Sequence, residues 1–264
     1  MSDCVLVRAI GSVRLIILNR PERRNGLDYE MGLRLLSEVV EASRDDEVRA
    51  IVLSGEGTAF CAGDDIATLQ RYMEGDPSTA PAWRETSDAF YVRICEELLL
   101  TRKPVIAAVK GAAVGAGTEL VCAADLRIGG PGTRLGSALI TIGHVGATAM
   151  LQRVVGPARA TEIYLSGRLV QAEEAMRLGL LDRLADDDEK VLDLAVETAT
   201  SLAEGPTRAI GLFKELRERT EGLPALHALR LQDQFHHRSR TEVADSTEGP
   251  LAYLERRNPR FTGG

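Results

Sequence analysis

The chain has 264 residues, 44% of them hydrophobic and 27% charged, with a formal net charge of −7. That length suits one large domain or two small ones with a sizeable core. The acidic balance, and arginines scattered rather than gathered into a basic run with aromatics, argue against general nucleic-acid binding. No apolar run reaches the ~18 residues of a membrane span, and the opening Met1 to Arg8 lacks the basic and apolar regions of a signal peptide. Cys4, Cys61, Cys95 and Cys122 show no C-x-x-C pairing and sit in apolar stretches. A cytoplasmic protein with reduced, packed thiols is expected, Cys61 being the one with some prospect of reactivity.

In chain order, strands are predicted near 4–9 and 13–18, a helix near 29–45 with apolar residues at helical spacing, and a strand near 49–54. Gly55 and Gly57 then form a turn, and Ala59 to Ile66 enters another helix. The stretch from Asp64 to Trp83 reads as an irregular polar loop, marked by Gly75, Asp76, Pro77 and Pro81, and suits a lid. An amphipathic helix follows over 85–100, ending before Pro104, and then a buried strand near 104–109. Short strands are expected at Leu126–Ile128 and Thr133–Leu135. From about residue 147 the pattern is almost wholly helical, with helices near 187–204, 206–219, 223–237 and 241–256 that suit either internal packing or a subunit contact. The residues alone give a mixed α/β class with no dividing linker and no short-period repeat.

The stretch Lys103-Pro-Val-Ile-Ala-Ala-Val-Lys-Gly-Ala-Ala-Val-Gly-Ala-Gly-Thr-Glu119 runs an apolar strand into a glycine-rich turn and a helix start. Gly111, Gly115 and Gly117 permit a tight turn and close ligand approach. The first N–H groups of the helix lack intrahelical partners, and the dipole adds to their attraction for a developing anion. Such a segment also serves phosphate binding or plain packing. The dinucleotide fingerprint fails, because Leu120 stands where the third glycine belongs, and no P-loop lysine follows.

Leu18-Asn-Arg-Pro-Glu-Arg-Arg-Asn25, Ala59-Phe-Cys-Ala-Gly-Asp-Asp-Ile66 and the Lys103 to Leu120 segment, in this order, resemble the crotonase family, also called the enoyl-CoA hydratase/isomerase superfamily. The likeness continues through Gln152 to Gly156, Leu165 to Arg168, Ala172 to Leu181 and Glu255 to Phe261. It implies a spiral of repeated β-β-α units over residues 1–200 holding an acyl-CoA site. It also implies a helical C-terminal trimerisation region over 201–264, with trimers often paired as hexamers. Coenzyme A enters as part of the substrate in fatty acid metabolism, and no separate cofactor is implied.

The resemblance assigns the thioester oxyanion to the backbone N–H groups of Ala62 and Ala116, and acid/base work to Glu119. Ala116 stands where a glycine is common, which is acceptable at negative φ. Glu119 also suits a simple helix cap. The second glutamate of family hydratases falls on Leu139, which cannot transfer a proton, so an ordinary two-carboxylate hydration is in doubt. Double-bond migration, thioester hydrolysis, decarboxylation and carbon–carbon cleavage remain open, as does a non-catalytic acyl-CoA-binding role. His144 and Asp64 are auxiliary candidates, against readings as a hydrogen-bonding residue at a turn and as a helix-start carboxylate. Arg24, beside Arg23, is expected at the nucleotide of CoA, and Gly63, Asp65, Ile66, Gly115 and Leu139 at the pantetheine arm and acyl group. No Cys/His/Asp cluster has ligand spacing, so no metal is expected.

Overall fold

The structure, a computed structural model, describes residues 3–76 and 90–264. An antiparallel hairpin of β1 (Val5–Ile10) and β2 (Val13–Leu18) opens the chain. Asp28 then caps α1 (Tyr29–Arg44) by accepting the Met31 N–H, and Met31, Leu35, Val39 and Ala42 form its buried face at helical spacing.

Three strand pairs follow on one plan. The first is β3 (Ala50–Gly55) with β4 (Ala59–Cys61), ahead of α2 (Ile66–Met73) and α3 (Phe90–Leu100). The second is β5 (Val105–Val109) with β6 (Ala112–Val114), ahead of α4 (Ala116–Ala123). The third is β7 (Leu126–Gly129) with β8 (Arg134–Gly136), ahead of α5 (Ala149–Ser166), which is broken at Gly156-Pro157. The chain continues through β9 (Val170–Gln171), α6 (Ala172–Leu178) and β10 (Arg183–Leu184). The first strand of each pair joins a six-stranded sheet of order β1-β2-β3-β5-β7-β10, and the second joins a four-stranded sheet of order β4-β6-β8-β9. Each unit thus advances one position in both sheets, mostly by parallel pairing. This is the β-β-α spiral that the resemblance implies.

Both faces of the large sheet are covered, which is why its central strands are continuously apolar. Ile51, Leu53, Val105, Ala107 and Val109 point to the side of α1, α3 and α4. Ala50, Val52, Ile106 and Ala108 point to the side of α7 (Val191–Ala203). Val191, Ala195, Ala199 and Ala203 repeat every fourth residue along α7, a stripe of mostly small side chains that brings the helix close to the sheet. Beyond it lie α8 (Thr207–Thr220), α9 (Ala225–Glu242) and α10 (Glu248–Glu255), with a small core of Leu212, Phe235 and Val243.

Two readings of the sequence change. The stretch from Asp64 was read as a loop, yet Ile66–Met73 is helical, with Asp65 accepting the N–H groups of Ala67 and Thr68. An eight-residue amphipathic helix carries too few turns for its period to stand out. Residues 77–89, the rest of the supposed lid and the start of the helix expected over 85–100, lie outside the described residues. The stretch after residue 147 also contains β9 and β10, each too short to show alternation. Its last two helices divide differently, with α9 running to Glu242. No helix among the described residues is long and apolar enough to cross a membrane.

Lys214 of α8 is only 2% exposed, and its Nζ donates to the carbonyls of Leu98 (3.2 Å) and Lys103 (3.0 Å) and to Asp125 Oδ2 (2.5 Å). The same carboxylate oxygen accepts the Val105 N–H at 2.8 Å, so one buried cation ties α8 to the central strand. Lys214→Ala would leave a desolvated carboxylate and two carbonyls without this donor. We expect it to lower stability by roughly 3–5 kcal/mol, read from urea unfolding.

Candidate active site

β4 and β6 are parallel neighbours, so the turns at their ends arrive side by side. The first turn carries Ala62, Gly63 and Asp64, and the second carries Val114, Gly115 and Ala116, all on the wall of one cavity of about 330 Å³. Gly63 has φ +90°, and a Cβ there would lie 2.7 Å from the Val114 carbonyl oxygen and 3.4 Å from the Ala116 nitrogen. Only a residue without a side chain lets the turns approach this closely. Behind them Asn25 is fully buried at φ +54°. Its amide donates to the carbonyls of Glu56 (2.9 Å) and Ala59 (2.8 Å) and accepts the Arg20 N–H (2.9 Å). Asn25 therefore fixes the strand that leads into the first turn. The sequence motif contained it without revealing this task, although asparagine is the side chain best suited to that backbone conformation.

The backbone N–H groups separate the donors that are spent from those that are free. Ala62 donates to the Arg24 carbonyl at 2.9 Å, Gly63 to Cys61 Sγ at 3.4 Å, and Asp65 to the Leu27 carbonyl at 2.9 Å. Asp64, between them, finds no acceptor among the described residues. In the second turn Gly115 donates to the Gly136 carbonyl, while Ala116, the first residue of α4, finds no acceptor among the described residues. Ala116 is absent from the residues with positive φ, so its methyl group is accommodated. The cavity thus has free donors at Asp64 and Ala116, and the expectation of Ala62 is corrected by one turn position. Sequence spacing could not distinguish these N–H groups, because Arg24 claims Ala62 only in the folded chain.

The other cavity walls are Ile66, Leu69, Leu139, Ile142 and Val145, with Tyr91, Thr141 and His144. Leu139 begins a short 3-10 turn (Leu139–Ile142) and offers only an aliphatic surface. The Asp64 carboxylate has no hydrogen bond or ion pair among the described residues. Burial pushes it up to about 6, and His144 pulls in the opposite direction. An aspartic acid raised above its usual range stabilises the fold while protonated and loses that contribution as pH rises through about 6. Asp64→Asn should therefore match the parent in stability below pH ~4 and exceed it by about 1–2 kcal/mol at pH 8, measured by urea unfolding at both pH values.

Glu119 lies elsewhere. It is 3% exposed, and its carboxylate accepts the N–H groups of Met150 (3.1 and 3.0 Å) and Leu151 (3.1 Å), so it caps α5. It lines a neighbouring cavity of about 340 Å³ with Cys95, Ala147 and Thr148, and Tyr91 borders both cavities. Burial raises its carboxyl, against the backbone hydrogen bonds that lower it. The sequence alternatives were catalysis and a helix cap; the observed cap serves a different helix, 31 residues away. Glu119 thus sits in the cavity next to that of the Asp64 and Ala116 donors, with both carboxylate oxygens accepting N–H groups of α5.

The remaining expectations divide. Gly63, Ile66, Gly115, Leu139 and His144 do line the cavity. Asp65 does not, because its carboxylate caps α2 and pairs with Arg20 at 3.2 Å. Arg24 is exposed, with a left-handed backbone that presents its carbonyl to Ala62. Cys61 is fully buried and burial pushes its thiol up to about 12, which works against the thiolate that reactivity needs.

Residues 8–264 match the family model described as enoyl-CoA hydratase/isomerase. The chain belongs to the enoyl-CoA hydratase/isomerase family. It is 34% identical to the 1,2-epoxyphenylacetyl-CoA isomerase of Escherichia coli K12, with all of both chains covered. Among solved structures, an enoyl-CoA hydratase from Bacillus anthracis superposes with a TM-score of 0.86 at 28% identity, covering 99% of this chain and 100% of the other. One from Mycobacterium smegmatis gives 0.87 at 28% identity, covering 98% of each. Like the relatives that bear these names, this member of the enoyl-CoA hydratase/isomerase family is a hydratase/isomerase-type enzyme.

Proposed function

We propose that this enoyl-CoA hydratase/isomerase family enzyme binds an acyl-CoA thioester with its carbonyl oxygen between the Asp64 and Ala116 N–H groups and reacts it through an enolate. The observation that carries this reading is the pair of unspent backbone donors on the wall of one cavity. Donors already in place stabilise charge as it develops, and losing one typically costs ~10²–10³ in turnover. The aliphatic wall of Ile66, Leu69, Leu139 and Ile142 receives the acyl group. Arg24, exposed beside Arg23 near the turn that bears Ala62, supplies positive charge for the phosphates of CoA, which an acidic protein must provide locally.

Leu139 and the engaged Glu119 leave fewer proton-transfer groups than a two-carboxylate hydration uses. That favours reactions with a single acid/base, and it keeps hydrolysis, decarboxylation or carbon–carbon cleavage as the second reading. Residues 201–264 act as the trimerisation region in this proposal, supported by the exposed Leu226, Leu229, Tyr253 and Leu254 of α9 and α10. Mass-spectrometric product analysis with short, medium and aromatic enoyl-, acyl- and malonyl-type CoA thioesters tests the function. A gain of water identifies a hydratase, isobaric rearrangement an isomerase, and release of free CoA, of carbon dioxide or of part of the acyl chain the second reading. Tight binding without conversion would overturn catalysis in favour of a binding protein.

A further inference from the structure

Asp64, on the cavity wall, carries two chemically different groups without a partner among the described residues: its backbone N–H and its carboxylate. We propose that the Asp64 side chain is the acid/base of this enzyme, moving one proton between two carbons of the acyl chain, so that a single residue supplies both an oxyanion donor and the proton shuttle. The inference rests on the enolate reading above. Its substrate class is a 3-enoyl thioester, which needs neither water nor a second carboxylate.

The atoms balance within the site. The carboxylate takes a proton from Cα of the 3-enoyl thioester; that C–H bond breaks, its electron pair passes into a dienolate, and an O–H bond forms on Asp64. The acid then returns the proton to Cγ, the electron pair flows back, and a 2-enoyl thioester leaves with Asp64 ionised again. No oxidant, reductant or co-reactant is consumed.

Charge favours this division of labour. A permanent carboxylate beside an enolate would place two like charges side by side in one cavity, which disfavours both. When Asp64 is itself the base, it becomes neutral as the oxyanion forms, and the cavity carries one negative charge throughout. The groups that face it are His144 from the turn after Leu139–Ile142, Tyr91 from α3 and Cys61 from β4. Of these, the Cys61 thiol stays protonated, and Tyr91 is likewise raised by burial. His144 sits on an exposed turn.

The test uses Asp64→Asn, which keeps the backbone N–H and removes the base, with 3-hexenoyl-CoA as substrate and carbonyl-labelled hexanoyl-CoA as an unreactive probe. We expect kcat for double-bond migration to fall by about 10²–10⁴-fold with KM within a few-fold. The thioester carbonyl stretch of bound hexanoyl-CoA should keep the shift it has in the parent, which also shows that the variant is folded. Parent kcat/KM should fall as pH drops below about 6, where the carboxylate takes up its proton. Asp64→Asn with full turnover, or loss of turnover in His144→Gln but not in Asp64→Asn, overturns the shuttle and leaves the enolate reading intact. A parent protein that binds hexanoyl-CoA without shifting its carbonyl stretch overturns the enolate reading itself.

Discussion

Gly63→Ala is expected to lower kcat about 10²–10³-fold, an effect as large as removing an oxyanion donor outright. The new methyl group would stand 2.7 Å from the Val114 carbonyl oxygen, a backbone atom of the adjacent strand that has no side-chain freedom with which to yield. The φ of +90° adds strain of roughly 1–3 kcal/mol for any residue with a Cβ. Relief requires the two turns to separate, and the N–H of the next residue, Asp64, moves with them. A displacement of about 1 Å is enough to cost ~10²-fold. Gly179→Ala is the control: its φ of +76° is comparable, but nothing lies within 4 Å of its would-be Cβ and it ends α6, away from the cavity. That variant should lose about 1 kcal/mol and keep its kcat. Equal turnover in Gly63→Ala and the parent would show that the close approach of the turns does not serve the reaction.

Glu119→Ala should lower stability by roughly 2–4 kcal/mol, because it leaves the start of α5 without its acceptor at Met150 and Leu151. Glu119→Gln retains one amide oxygen to accept those N–H groups, and its loss should be about half as great. The two variants discriminate sharply between roles. A cap predicts a graded fall in the unfolding midpoint, with kcat of the folded Gln variant close to that of the parent. An acid/base predicts the reverse, a Gln variant of normal stability with turnover down by two orders of magnitude or more. Urea unfolding and kcat measured on the same preparations read both quantities.

Most elements of the spiral were legible in the residues. The continuous apolar run of β5 reflects burial on both faces of a parallel sheet, and the helical spacing of Met31, Leu35 and Val39 reflects one buried face of α1. The glycine-rich strand-to-helix turns marked the cavity, because close backbone approach selects glycine at Gly63 and Gly117 and a φ of +55° selects it at Gly115. The departure at Leu139 was visible as a residue type. Short elements escaped notice, α2 because its few turns follow a polar start, β4 and β6 because three-residue strands were read as a helix entry and a glycine turn, and β9 and β10 because two residues have no period.

The sequence by itself determined the α/β class, the family, the turns that build the cavity and the residue types available there, since hydrophobic period, glycine placement and motif order are local properties of the chain. Only the tertiary structure decided which groups remain free to act. Ala62 and Asp64 have identical backbone donors, and Glu119 and Asp64 have the same functional group. The distinction arises when Arg24 folds back to accept the first donor and α5 docks its N-terminus onto Glu119. Hydrogen-bond partners brought from distant parts of the chain consume some polar groups and leave others facing the cavity, and that selection is set by three-dimensional packing rather than by sequence spacing.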